Sequence, residues 1–260
     1  MRKIFGSRSN DIAQLFGYKE TMIFSPNPAS SFNVDDFYVV ATEPGNVKQD
    51  IPIWAGIRPG AIKFDSTSNR AVERVEIPEV PGACQLLYVL SVDECDRLVE
   101  LSDALGYHDD TPVSLPRRIL HTNNFNWVVD ESVDGPIWDR CKGFFETSTY
   151  TSLRPCGLNA RFRFYRYVTG DFFAPHADGV WPGSRVVDGR LVHDAYGDRI
   201  SEMTFLIFLT DEYGGGRTQF QTRQNSFTSV ATPKGGILCF PHGTHPQHCI
   251  HAGEEVTSGQ

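Results

Sequence analysis

At 260 residues the chain is long enough to bury one large core or two small ones. Its 24 lysines and arginines are outnumbered by 32 aspartates and glutamates, and the resulting net charge of −8 argues against nucleic acid as a partner, since phosphate contacts need clustered cations. No stretch approaches the roughly 18 apolar residues of a membrane-spanning helix. The opening "MRKIFGSRSNDIAQLFGY" lacks the apolar run of a signal peptide, and the six scattered cysteines form no C-x-x-C pair. A cytoplasmic protein that touches neither membrane nor nucleic acid is expected.

Residues 1–80 read as an arm of uncertain structure, with a short helix near "DIAQLFGY", a strand-like "DFYVVAT" and pieces punctuated by proline and glycine. A single domain is expected over residues 81–260. It opens with "LSVDECDRLVELSDALGY", where Ser91 and Glu94 form a capping box. Cys95, Leu98, Val99 and Leu105 then recur at helical spacing before a stop at Gly106. "DGPIWDRCKGFFETS" predicts a second helix with Asp134 as its cap and Pro136 in its first turn, turning Ile137, Trp138, Cys141, Phe144 and Phe145 toward the core.

Beyond Asn159 the period changes to two. "NARFRFYRYV", "SEMTFLIFLTD", "TQFQTRQNSFTSVAT" and "GGILCFP" are strand-like and bounded by turn residues. In "RFRFYRY" alternation places Arg161, Arg163, Tyr165 and Tyr167 on one face and Phe162, Phe164 and Arg166 on the other, as in a sheet packed on helices outside and lining a polar pocket inside. The fold class expected is α+β, mainly β: a double-stranded β-helix, or jelly roll, with supporting N-terminal helices.

His176 and Asp178, in "FYRYVTGDFFAPHADG", stand two apart at the end of an alternating segment, so on a strand both would face one cation. A third ligand is then needed. "FPHGTHPQHCIHAGEEVTSGQ" offers His242, His245, His248 and His251, and Pro241, Gly243 and Pro246 argue against a continuous helix there. Two histidines and one carboxylate would leave positions open for a co-substrate, whereas structural zinc would fill all four.

Four ordered motifs carry a resemblance. Tyr167 to Gly179 ("Y-x-x-G-x-x-F-x-x-H-x-D-G"), Gly215 to Phe220 ("GG-x-T-x-F"), Pro233 to Phe240 ("P-x-GG-I-L-x-F") and His251 to Gly259 ("H-A-G-E-E-V-T-S-G") resemble the iron(II)/2-oxoglutarate dioxygenases of the prolyl 4-hydroxylase type. The resemblance covers roughly residues 84–260. It implies His176, Asp178 and His251 as iron ligands, and Tyr167 and Thr204 as partners of the distal carboxylate of 2-oxoglutarate. It also implies oxygen as a reactant and ascorbate as reductant, with hydroxylation of an unactivated carbon in a protein, peptide or free amino acid and release of succinate and carbon dioxide. An aspartate at position 178, where related halogenases carry glycine or alanine, favours hydroxylation.

The sequence departs from the family's pattern at three places. Phe173 replaces a tyrosine common in the prolyl hydroxylases, and Arg217 stands where the glutamate of "GGET" is usual. The lysine that pairs with the distal carboxylate would fall one position past Gln260, so that either the sequence is a fragment or Arg161 or Arg163 substitutes. The polar stretch "VWPGSRVVDGRLVHDAYGDRIS" reads as a substrate lid. His242, His245 and His248 are expected on surface loops. A non-catalytic module that keeps the metal site, and a zinc-stabilised β-domain, are the rival readings; the oligomeric state is left open.

Overall fold

Alternating burial along the chain organises two layers of strands and two helices. The computed structural model describes residues 32–47, 50–65, 70–112, 116, 118–147, 152–222 and 226–260. The helix expected near residues 11–18 lies outside them. Strands β1 (Phe37–Glu43) and β2 (Ile51–Gly56) pair antiparallel, and β3 (Glu73–Glu76) pairs with β4 (Cys84–Leu87). After helix α1 (Val92–Leu105) come β5 (Leu120–His121), β6 (Asn123–Val128) and helix α2 (Glu131–Cys141). The second half holds β7 (Arg161–Arg166), β8 (Phe172–His176), the small hairpin β9 (Arg185–Val187) and β10 (Arg190–Val192), β11 (Met203–Ile207), β12 (Tyr213–Gly215) and β13 (Thr218–Gln221). It ends with β14 (Phe227–Val230), β15 (Ile237–Pro241), β16 (His251–Gly253) and β17 (Val256–Gly259).

One sheet runs β14-β13-β16-β8-β5; another runs β11-β15-β4-β3, and a third β1-β2-β6-β7. Strand β15 shows how they stack, because all five of its residues are buried. By alternation, Ile237 and Cys239 join the core under the helices, with Leu98, Leu101, Ile137 and Trp127, while Leu238 and Phe240 join Phe220 and Val230 between the sheets. The result is the expected mainly-β jelly roll, with helices on its outer face. The stretch expected as an arm contributes β1 to β3. Phe37 of β1 lies edge-on to Trp127 with ring centroids 5.7 Å apart, which ties residues 37–56 into the helix-side core. All six cysteines are free thiols, and only Cys156 is exposed. No helix among the described residues is long and apolar enough to cross a membrane.

Helix α1 begins and ends as its sequence predicts: the Ser91 hydroxyl accepts from the Glu94 amide, the Glu94 carboxylate accepts from the Ser91 amide, and Gly106 closes the helix at a positive φ of 90°. For α2 the expected start is four residues late. Asp130, not Asp134, is the cap, its carboxylate accepting from the Ser132 amide, and Pro136 lies inside the helix. Asp134 is instead buried against Arg185, with 2.5 Å between Oδ2 and the guanidinium. The Pro136 signal is therefore one of tolerance within a short helix, not of its start.

Glu94 also anchors α1 to α2, for its 1%-exposed carboxylate receives both terminal nitrogens of Arg140 at 2.7 and 2.8 Å, besides the amide of Asp65. Burial raises its carboxyl, but Arg140 and the two amides outweigh this and hold the group below the usual carboxylate range. Its contribution to stability is accordingly present above the unfolded carboxylate range and lost as the pH falls through the lowered folded value. Glu94→Ala, which leaves the part-buried Arg140 with the Val89 and Asp65 carbonyls but no carboxylate against it, is expected to cost about 3 kcal/mol in urea unfolding at neutral pH.

Candidate metal centre

The candidate ligands meet because of strand register. Strands β8 and β16 pair antiparallel with His176 directly opposite His251. The turn that feeds β8 is fixed by Asp171, whose carboxylate accepts from the Val168 amide and lies 2.7 Å from His121 Nδ1. Gly170, at φ 92°, lets this turn close while its amide donates to Val256 just beyond β16. Strand β8 ends at His176, so Asp178 lies two residues past it rather than on the strand. Its backbone carbonyl accepts from the amide of Gly243, at φ 62°, where a Cβ would stand 2.3 Å from a methyl of Val180. Only glycine allows that approach.

The donor atoms of His176, Asp178 and His251 all lie within 4.8 Å of one another. His176 Nε2 is 3.6 Å from Asp178 Oδ1, and His251 Nε2 is 3.7 Å from Oδ2. Each imidazole turns its other nitrogen to backbone: His176 Nδ1 donates to the Ala174 carbonyl at 2.8 Å, and His251 Nδ1 points at the Cys249 carbonyl at 3.4 Å. That fixes the tautomer and leaves both Nε2 lone pairs facing the carboxylate. Burial lowers the pKa of His251 to about 4, opposed by Asp178 and aided by His176, so the ring is neutral at pH 7 and free to donate to a metal. Phe173 stacks on His176 at 3.6 Å and Phe240 packs on His251 at 4.5 Å, so both rings have little room to turn. Two imidazoles and one carboxylate suit a divalent transition metal with positions to spare.

Asp178 is held in turn. The Thr204 hydroxyl donates to Oδ2 at 2.6 Å and lies 2.8 Å from His242 Nδ1, while His242 Nε2 lies 2.9 Å from the Ser201 hydroxyl. Ser201 accepts from the Trp181 amide. Burial lowers the pKa of His242. A neutral imidazole protonated on Nδ1 satisfies every link, with the Ser201 hydroxyl donating to Nε2, Nδ1 donating to Thr204, and Thr204 donating to Asp178. His242 and His245 are buried, contrary to the expectation of surface loops, and His248 is exposed as expected. The relay went unseen in the sequence because its members lie 38 and 41 residues apart. The available signal was the lone hydroxyl of Thr204 in an apolar strand.

Tyr167 and Thr204 both line a cavity of about 1530 Å³ that opens onto the three candidate ligands. The Tyr167 hydroxyl makes no hydrogen bond among the described residues, and burial holds its pKa well above the usual phenol value, so it is a neutral donor. Thr204 is already engaged at Asp178. The polar stretch after Asp178 is folded into the β9–β10 hairpin, with Asp188 and Gly189 at positive φ in its turn. Arg217 is exposed, as a turn residue should be.

Neither a protein-family model nor a curated protein sequence matches the chain. Among solved structures it is similar to a prolyl-4-hydroxylase of Pseudomonas putida, at 14% identity over 68% of this chain and 87% of that one, with a TM-score of 0.42.

Proposed function

We propose that the protein is an iron(II)- and 2-oxoglutarate-dependent dioxygenase that hydroxylates an unactivated carbon of an amino acid, peptide or protein. The observation that carries this reading is the pair of Nε2 atoms facing one carboxylate at the floor of a large cavity. The group has three members, and structural zinc would call for a fourth. Bound there, iron(II) would supply the oxidative decarboxylation of 2-oxoglutarate by dioxygen, one oxygen atom going to succinate beside the released carbon dioxide and the other to the hydroxylated substrate, with ascorbate keeping the metal reduced.

The chain's own part is placement. His176, Asp178 and His251 hold the ion, the stacked Phe173 and Phe240 keep the imidazoles from turning, and Tyr167 offers its hydroxyl to the distal carboxylate of the co-substrate. Thr204, with its hydroxyl given to Asp178, serves the metal side of the site in this reading. The free thiols fit a cytoplasmic setting.

Two measurements test the proposal. Protein purified without added metal and then supplied with iron(II), 2-oxoglutarate and ascorbate should form succinate; no succinate would leave a non-catalytic metal module, and stoichiometric zinc would leave a structural site. Tyr167→Phe should weaken 2-oxoglutarate binding about ten- to a hundredfold, the equivalent of a hydrogen bond to an ionised group, while iron affinity stays unchanged.

A further inference from the structure

The cavity wall contributed by β7 carries more positive charge than it matches. Arg185 has Asp134 as its partner and Arg166 has Asp103. Arg161 and Arg163, in contrast, share one carboxylate: Glu43 Oε2 lies 2.6 Å from Arg161 and 3.6 Å from Arg163. The other oxygen of Glu43 is taken by the Asn126 side-chain amide at 2.8 Å. The Arg161 side chain is only 7% exposed, and its buried Nε has no hydrogen-bond acceptor among the described residues. The second guanidinium raises the cost, for burial and then the neighbouring Arg163 both lower the pKa of Arg161. Trp181, 48% exposed, lies over both cations at 6.0 and 5.6 Å. One uncompensated cation, half-buried under an aromatic ring on a cavity wall, is a receptor for an anion.

We infer that Arg163, supported by Arg161 and roofed by Trp181, binds a carboxylate of the primary substrate, which makes that substrate an acid: a free amino acid or another small carboxylate. The inference rests on the function proposed above. Co-substrate and substrate are separated by distance along the wall. Arg163, on β7, and Tyr167, one residue past its end, stand four positions apart, about 13 Å between backbones in extended chain, more than a five-carbon diacid spans while also reaching the metal. An acid at Arg163 and a co-substrate at Tyr167 therefore take separate places along the wall of one cavity.

The test uses the whole chain loaded with manganese(II) and saturated with N-oxalylglycine, an inert analogue of 2-oxoglutarate, so that no turnover is needed. Calorimetric titration with 3-phenylpropionate, whose ring suits Trp181, and with its uncharged amide should show the acid binding about ten- to a hundredfold more tightly. Arg163→Met should remove that preference and leave N-oxalylglycine affinity unchanged; Arg163→Lys should keep part of it. Indifference to the charge, including no binding of either probe, would overturn the inference. So would an Arg163→Met variant that loses N-oxalylglycine instead, since the arginine would then serve the co-substrate. Failure of the wild-type protein to bind manganese(II) or N-oxalylglycine would count against the proposed function, and titration of the acid into metal-free protein reports on Arg163 regardless.

Discussion

His176→Ala, Asp178→Ala and His251→Ala are each expected to abolish tight iron(II) binding in anaerobic titrations, and with it succinate formation, while His245→Ala and His248→Ala retain both. The three donors lie within 4.8 Å of one another and converge on one point, so removing any of them leaves a two-coordinate remnant with no further side chain in the group to replace it. His248 is exposed on the loop before β16, and the Nδ1 of His245 accepts the Gln247 amide. Tight binding kept by His251→Ala but lost in His248→Ala would move the third ligand to that loop. Circular dichroism of each variant separates a lost site from a lost fold.

Thr204→Val should weaken the metal about ten- to a hundredfold without touching a ligand. The valine has nearly the shape of threonine but cannot donate to Asp178 Oδ2 or accept from His242, so the carboxylate becomes free to rotate away from the imidazoles. Loss of a hydrogen bond to an ionised group corresponds to about 1.5–3 kcal/mol. The metal-free variant should also unfold earlier, because His242, 6% exposed, loses an acceptor in a place water hardly reaches. Thr204→Ser, which keeps the hydroxyl, should restore most of the metal affinity; equal affinities for Val, Ser and Thr would show that the relay does not position Asp178.

Where the sequence was readable, a local rule was at work. The Ser91 to Glu94 capping box and the Gly106 stop lie within α1's own turns and describe that helix closely, and the period of two in "RFRFYRY" belongs to a single strand, observed at Arg161–Arg166 with Phe164 in the core and Arg161 and Arg163 together at Glu43. The start of α2 was misread because Pro136 and Asp134 are good first-turn residues in isolation, whereas Asp130 is chosen by the hydrogen bond it makes and Asp134 by an arginine 51 residues away. The register that brings His176 opposite His251 was not visible in either segment alone. Nor was the burial of His242, since a loop punctuated by proline and glycine gives no sign of which side it turns inward. Glu43 lay in a stretch with weak periodicity, so its sharing by Arg161 and Arg163 could not be read before the sheets were assembled.

The thiols of the core bear on how a protein with the proposed activity would endure its chemistry. A cysteine is oxidised as the thiolate, and oxygen consumed beside a redox metal produces reactive by-products whenever substrate is missing. Burial pushes Cys95 and Cys141 up to about 12 and Cys249 to about 11, so at neutral pH these side chains are almost wholly protonated and shielded. Cys156, the one exposed thiol, lines the same cavity as the candidate metal ligands. Cys84, whose thiol is shifted down by its hydrogen bond with Cys239, is wholly buried; oxidative damage from idle turnover of the proposed enzyme would thus fall first on a loop residue at the cavity wall, which solvent and oxidant reach.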